Sequence, residues 1–500
     1  MNQQQQSENE YIQQRRQNLN ALREADINPY PVKFDYDITP AEIKDIFEKY
    51  TGEELDELAK QVKTCGRIMS KRMQGRAAFF HISDGEEKIQ LYMREDKVGK
   101  PAYKRLKKIE VGDFLAVQGV LFRTRTDELT ILVDDYVFLA KAVRPLPEKW
   151  HGLKDKELRY RMRYLDLIAN EDVRDTFRKR SQIVSTVRRF FENKGYMEVE
   201  TPMMQLIPGG AAARPFITHH NALDLDLFLR IAPELYLKRL IIGGFPKVFE
   251  LNRNFRNEGV DAQHNPEFSM LEFYEAYADL RDMMTITEEL LTELMDTVVG
   301  SREVKYGDYT LNFQTPFKRM TMREAIVQYS DVSMEQLNDR ESLLPVAKSL
   351  GIEDPEKLVY GKLLNEVFEV VAEPHLIQPT FITEYPIEVS PLTKSMPDDD
   401  RFVDRFELFI AGMELANAYS ELNDPDEQLR RFQMQLGERE KGDDEAQMMD
   451  QDFLTAMEHG MPPTGGQGIG IDRLVMVLTN SPSIRDVILF PYMRPRSDED

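Results

Sequence analysis

Five hundred residues leave room for two or three domains and a large core, and an apolar fraction of 41% is ordinary for a globular chain. A single cysteine, Cys65, excludes an internal disulfide, no apolar run reaches membrane-spanning length, and the start MNQQQQSENE lacks the apolar core of a signal peptide, so a cytoplasmic protein with no membrane contact is expected. The net charge of −22 argues by itself against a nucleic-acid partner, but the basic residues cluster, first at Lys63, Arg67, Lys71, Arg72 and Arg76, then over 100–108 and 174–189.

Residues 1–30 pass from a Gln tract into a helix with Tyr11, Leu19 and Leu22 as its apolar positions, stopped by Asn28-Pro29-Tyr30-Pro31. With a second helical segment at about 40–62, this makes an N-terminal helical region, 1–62. Residues 63–142 read as five strands with one basic helix, KPAYKRLKKI, between the third and fourth. That is the order of an OB-fold barrel, a binder of single-stranded nucleic acid, assigned here to 63–145. RPLPEKWHGLKDKE reads as a linker by its prolines and charge, within 146–170. A larger domain, 171–500, follows. It opens with a helix at about 171–194 leading into GYMEVETP, continues with an amphipathic helix at 281–299 and a helical stretch at 320–372, and returns to strand at 376–394. The adjacent His219-His220 would point to opposite strand faces with no Cys or third His nearby, which favours a structural role over a metal site.

The most informative stretch is KVFELNRNFRNEGVDAQHNPEFSMLEFYE, residues 247–275. Alternation from Val248 puts Glu250, Asn252, Asn254, Arg256 and Glu258 on one strand face. After a polar loop, Phe268, Met270, Glu272 and Tyr274 share a face of a second strand. If the arms pair, one surface carries an arginine, several carboxylates, an aromatic plate and a phenol, which calls for a charged ligand. In DRFELFIAGMELANAYSELN, residues 404–423, a tight turn at Ala411-Gly412 places Glu407 opposite Ala416 and Glu414 opposite Phe409. Glu407 and Glu414 then share a face and can share a hard cation. Strict alternation leaves Asn417 and Glu421 off that face unless a bulge or strand end intervenes. Further on, Gly466, Gly468 and Gly470 alternate ahead of Asp472-Arg473, which lets a strand lie close to a neighbour or to a flat ligand.

Phe255-Arg256-Asn257-Glu258 with His264-Asn265-Pro266-Glu267-Phe268 resembles motif 2 of the class II aminoacyl-tRNA synthetases, in their lysyl form (subclass IIb, bacterial type). Gly195–Pro202 resembles motif 1 and the glycine run with Arg473 resembles motif 3. The resemblance covers the chain from the N-terminal helix to residue 495. It implies an α+β protein, an N-terminal OB-fold ahead of an antiparallel catalytic sheet flanked by helices. It also implies a homodimer through motif 1 and the activity of a lysine–tRNA ligase, with ATP as co-substrate and L-lysine and tRNA(Lys) as partners. The matching positions carry the family's roles. Arg256 would bind the α-phosphate and the amino-acid carboxylate, Glu258 and Phe268 adenine, His264 the phosphates, and Arg473 the γ-phosphate and the far side of adenine. Gln263 departs from a common form that has arginine there, and Asp472 stands where many class II enzymes have Glu.

Glu407 and Glu414 match the magnesium-binding acids, and Asn417 and Glu421 the lysine-binding pair. Glu421 with Tyr274 would hold the ε-ammonium; Glu234 and the Gly210 backbone, with Glu272 beside them, the α-ammonium. Because ATP is anionic, a site with Glu234, Glu258, Glu272 and Glu421 needs a cationic co-substrate. In the barrel, Arg67, Phe79 and Gln90 would read the anticodon. Two rivals have discriminating features. A lysyl ligase acting on a protein would lack the barrel. A catalytically dead, nucleic-acid-binding relative would have lost Arg256, Arg473 or the Glu407/Glu414 pair.

Overall fold

The computed structural model describes residues 3–146, 153–440 and 446–495. They form two compact units, one running to residue 155 with 164–170, the other comprising 156–163 and 171 onward.

The first unit centres on a closed barrel of β1 Gln61–Gln74, β2 Ala77–Ser83, β3 Lys88–Arg94, β4 Phe114–Arg123 and β5 Leu129–Ala140, in the order β1–β2–β3–β5–β4. Alternation builds it. Phe80, Ile82, Ile89, Leu91 and Met93 point inward and are buried, and their neighbours in the chain face out. β1 serves two partners: its first half pairs with β4 and its second with β2, and a register shift between Ile68 and Ser70 bends it from one to the other. Short helices Glu95–Val98 and Lys100–Arg105 separate β3 from β4, so the strand order is that of an OB-fold.

The single helical segment expected at about 40–62 is two helices, Pro40–Phe47 and Gly52–Leu58. Thr39 with Glu42 and Thr51 with Glu54 each close a capping box, so a second helix starts where the first has ended. β1 already begins at Gln61. Part of the stretch read as a linker, 147–152, lies outside the described residues. Lys156–Arg161 and Arg163–Ala169, within the same stretch, are helical.

In the second unit β6 is Met197–Glu198, and β7 Met204–Gln205, β8 Ile217–His220 and β9 Leu225–Leu229 form a small sheet. β10 Lys247–Phe255 and β11 Glu267–Ala276 follow, then a separate hairpin, β12 Glu303–Tyr306 with β13 Tyr309–Asn312. β14 Lys318–Thr321, β15 Thr380–Pro386, β16 Phe402–Ile410, β17 Met413–Ser420 and β18 Thr464–Gly470 complete the set. The main sheet has eight strands in the order β14–β15–β16–β17–β18–β11–β10–β6. It is antiparallel from β15 to β10, and only the outer pairs β14–β15 and β10–β6 are parallel.

One face of the sheet is core. Phe249, Phe273, Ile469, Ala416 and Phe406 pack with Ile183, Val187 and Phe191 of the helix Glu171–Asn193 and with the apolar sides of Leu280–Leu294 and Ile471–Leu478. The other face is polar. Glu250, Glu272, Gly468, Asn417 and Glu407 stand in register across β10, β11, β18, β17 and β16, one row over five strands. Helices Met322–Tyr329, Arg340–Ser349 and Tyr360–Val371 fill the stretch read as helical and bury Leu343, Leu363 and Phe368 in a second core with Ile382, Phe402 and Phe409 of β15 and β16.

Candidate active site

Glu272, Gly468, Asn417 and Glu407 of the polar row line a cavity of about 620 Å³. The β10–β11 hairpin supplies one wall. Its register runs unbroken from Lys247↔Glu275 to Phe255↔Glu267, so Phe268, Met270, Glu272 and Tyr274 do share a face. The strand ends at Phe255, one residue before Arg256. The Arg256 N–H donates to the Pro266 carbonyl at 2.9 Å, and its guanidinium lies 5.1 Å from the centre of the Phe268 ring. Its Nε is buried without a hydrogen-bond partner. Glu258 is therefore not on the strand face with Glu250, as alternation suggested. It sits exposed in the loop, yet still lines the cavity. In the same loop His264 is held by Asp261 (Nδ1 to Oδ2 2.8 Å), and its Nε2 lies 3.3 Å from Nη2 of Arg473. Arg473 Nη1 donates to the Glu414 carbonyl at 2.6 Å. Arg256 and Arg473 thus give the cavity a cationic side, with the His264 ring between Asp261 and Arg473.

The opposite side is acidic. Glu272 is 5% exposed. Burial, with the nearby Glu234 charge adding to it, pushes its carboxyl up to about 8. Tyr274 donates to it at 3.4 Å. The alternating glycines of β18 make room for these groups. Gly466 lies opposite Tyr274 and Tyr419, and Gly468 opposite Glu272 and Asn417. A Cβ on Gly466 would fall 2.0 Å from Glu421 Oε1 and 2.4 Å from the Tyr274 ring. Gly210, at φ +86°, sits over Glu234, where a side chain would meet Glu234 Cβ at 2.8 Å.

The β16–β17 hairpin corrects one expectation and answers another. Glu414 does face Phe409, but Glu407 faces Asn417 and not Ala416. A register shift between Leu408 and Phe409 leaves Leu415 as the extra residue. The bulge brings Asn417 onto the face of Glu414, and its amide donates to Glu407 Oε1 at 3.4 Å. Glu407 also accepts from Tyr385 Oη at 2.8 Å and from Arg405, and burial pushes its carboxyl up to about 7.

Glu421 differs from the other sequence-predicted residues. Its side chain is wholly buried behind Gly466 and is not part of the cavity lining, whereas Gly210, Glu234, Glu272, Tyr274 and Asn417 are. Its neighbour is a residue that sequence reasoning missed. Lys238, 0% exposed, places Nζ 2.6 Å from Glu234 Oε1 and 2.5 Å from Glu421 Oε2. Burial opposes the Lys238 charge, but the two carboxylates more than offset it and hold its pKa above the ordinary range. The available signal was the Glu234/Lys238 spacing of four on a helix, which reads as a common surface pair. His219 is tied to Asp226 at 2.9 Å on the exposed strand β8.

In the barrel unit, Phe79 lies on the outer face, stacked on Tyr92 at 4.7 Å, with Arg72 directly opposite on β1. Gln90 is next along the same face, its amide already engaged by Glu128 (2.6 Å) and Thr130 (3.0 Å). Arg67 is not with them. It pairs with Ser83, four residues beyond Phe79, where it donates to the Gly112 carbonyl at 3.0 Å and covers the Phe114 ring. Counting across the Gly75-Arg76 turn would have pointed to Arg72.

An arginine stacked on a phenylalanine at a hairpin end, a second arginine after a glycine-alternating strand, and paired acids between them are the parts of a class II synthetase site. Residues 155–494 match the family of class II tRNA synthetases (D, K and N), and residues 62–139 match an OB-fold nucleic-acid-binding domain. The chain belongs to this class II synthetase family. Within it, relatives similar to this chain over nearly their whole length are lysine--tRNA ligases. That of Carboxydothermus hydrogenoformans is 54% identical over 488 residues, 98% of this chain and 99% of the relative. That of Idiomarina loihiensis is 54% identical over 492 residues (98% of each), and that of Escherichia coli K12 is 53% identical over 489 residues (97% of each).

Proposed function

We propose that this chain is a lysine–tRNA ligase, joining L-lysine to ATP as lysyl-adenylate and then passing the lysyl group to the 3′ end of tRNA(Lys). The observation that carries the reading is a single cavity in which a cationic wall (Arg256, Arg473) faces buried acids (Glu234, Glu272). Such a cavity suits an anionic nucleotide together with a diammonium amino acid. The lysine carboxylate oxygen attacks the α-phosphorus, and the bond to the bridging oxygen breaks, releasing pyrophosphate. The terminal ribose hydroxyl then attacks the adenylate carbonyl, gives up its proton and expels AMP. No side chain needs to form a covalent bond; orientation and charge stabilisation supply the rate.

Arg256, with Nε free of protein partners and its plane over Phe268, is the donor placed for the α-phosphate and the amino-acid carboxylate. Phe268 and Glu258 hold adenine, and Arg473 closes over it and meets the γ-phosphate. His264, oriented by Asp261, adds a phosphate contact. Glu234, Gly210 and Glu272 receive the α-ammonium; Tyr274 and Asn417, with Glu421 behind them, the ε-ammonium. Glu407 and Glu414 would hold Mg2+. Their oxygen-only donors suit a hard cation, and among the described residues no cluster of three or more His, Cys, Asp or Glu offers a complete protein cage. Phosphate oxygens and water would supply the remaining ligands, and the bound ion would neutralise phosphate charge.

Phe79 and Gln90 contact the anticodon. The protein acts in the cytoplasm as a homodimer. Exposed Met204, Leu206, Ile217 and Leu223 around the small sheet support that interface. The test is ATP–pyrophosphate exchange. It should depend on lysine and be followed by charging of tRNA(Lys). Exchange that ignores lysine would remove the assignment.

A further inference from the structure

We propose that Lys238 is a positioning residue for amino-acid recognition. Its internal ammonium holds one oxygen of Glu234 and one of Glu421, so that the Glu234 carboxylate on the cavity wall and the Glu421 carboxylate behind Gly466 and Tyr274 are set in one geometry for the substrate's ammonium groups. The inference rests on the lysine-activating reading above.

Lys238 stands one helical turn after Glu234 and is completely buried, as is Glu421. A buried ammonium persists only when carboxylates bracket it, and here Glu234 Oε1 (2.6 Å) and Glu421 Oε2 (2.5 Å) do so. The reverse holds for the acids. Two carboxylates converging on one point without a cation between them cannot both stay ionised. Burial raises the Glu421 carboxyl to about 8 and the Lys238 charge opposes that rise, so the ammonium eases the approach of the two acids and fixes their separation. The second oxygens face elsewhere. Glu234 Oε2 lies 3.5 Å from the Cβ position of Gly210, on the cavity wall. Neither Glu421 oxygen has a hydrogen-bond partner: Oε2 is held by the Lys238 charge alone, and Oε1 lies against Gly466, beside the Tyr274 ring. The two recognition points sit on different elements, the helix Glu234–Ile242 and the end of β17, and Lys238 is the one cation that touches both among the described residues. The acid on the cavity wall and the acid behind it are thereby set by the same internal charge.

The experiment uses the full chain with Lys238→Met, which keeps length and apolar stem, and Lys238→Arg, which keeps the charge. Exchange is measured with lysine varied at saturating ATP, then with ATP varied at saturating lysine. For Lys238→Met the KM for lysine should rise at least tenfold while the KM for ATP stays within twofold, and Lys238→Arg should recover most of the loss. If Lys238→Met does not fold, Lys238→Gln, which keeps donors without charge, should show the same split. A lysine KM within threefold of wild type, or lysine and ATP constants rising together, overturns the proposal. So does an arginine variant as impaired as the uncharged one. Absence of lysine-dependent exchange in the wild-type protein would instead sink the functional reading itself.

Discussion

Replacing Gly466 with alanine adds one methyl group at the most crowded point of the site. β18 is fixed on both sides, by Tyr274 of β11 and Tyr419 of β17 opposite Gly466, so the backbone has little freedom to retreat. The new Cβ would lie 2.0 Å from Glu421 Oε1 and 2.4 and 2.6 Å from two Tyr274 ring carbons, where ordinary contact begins near 3.4 Å. The difference of 3.4 and 2.0 requires the carboxylate to move by about 1.4 Å. It must do so with Lys238 already against it at 2.5 Å. Overpacking of this kind costs roughly 1–3 kcal/mol of stability. Misplacing a binding group by about 1 Å costs up to about 10²-fold in rate. Gly466→Ala should therefore lose about two decades in kcat/KM for lysine, with the KM for ATP nearly unchanged. Gly470→Ala is the steric control for stability, since its Cβ would meet nothing closer than 3.7 Å. Urea unfolding of both variants and exchange kinetics with lysine varied at saturating ATP make the comparison. A Gly466→Ala enzyme within threefold of wild type for lysine would refute the reasoning.

Arg256→Ala should lower kcat and kcat/KM for exchange together by at least ~10²-fold, because the lost contact strengthens as charge moves on the α-phosphate; a rate within threefold of wild type removes it from the mechanism. Glu407→Gln with Glu414→Gln should raise the magnesium concentration needed for half-maximal exchange, since amides bind a hard cation less well than carboxylates, and superimposable titrations would end the metal assignment. Phe79→Ala should spare exchange and weaken tRNA charging by roughly 1–3 kcal/mol, whereas Arg67→Ala, tied to Gly112 and Phe114, should act on the thermal stability of the barrel; equal damage to exchange and charging by Phe79→Ala would make that ring structural.

Glu272 gives a pH signature. Its carboxyl is raised to about 8 in the folded, ligand-free protein, so the folded state holds a proton that the unfolded state releases. The stability this contributes is present at low pH and is lost as pH rises through about 8. Glu272→Gln should therefore gain on wild type in urea unfolding as pH increases, and parallel pH curves would exclude the raised carboxyl.

What local pattern decides was legible in the chain. Period-two alternation placed Phe268, Met270, Glu272 and Tyr274 on one face, because successive strand residues must point to opposite sides. The strand–helix order announced the barrel, and the alternating glycines announced a strand pressed against its neighbours. Two turn-and-cap details were also local but were missed. The capping boxes at Thr39 and Thr51 divide one apparent helix into two, and the short turn at Gly75 fixes Arg72 opposite Phe79. The remainder depended on contacts that no local pattern encodes. The Leu415 bulge, which turns Asn417 toward Glu407, arises where two strands settle their pairing, and strict alternation in either strand predicts the opposite face. Glu258 left its expected face because pairing ended at Phe255. Lys238 looked like half of a surface pair. Only the folded sheet brings Glu421, from the far end of β17, against the same ammonium and seals all three charges from water, which makes their geometry a property of the tertiary structure.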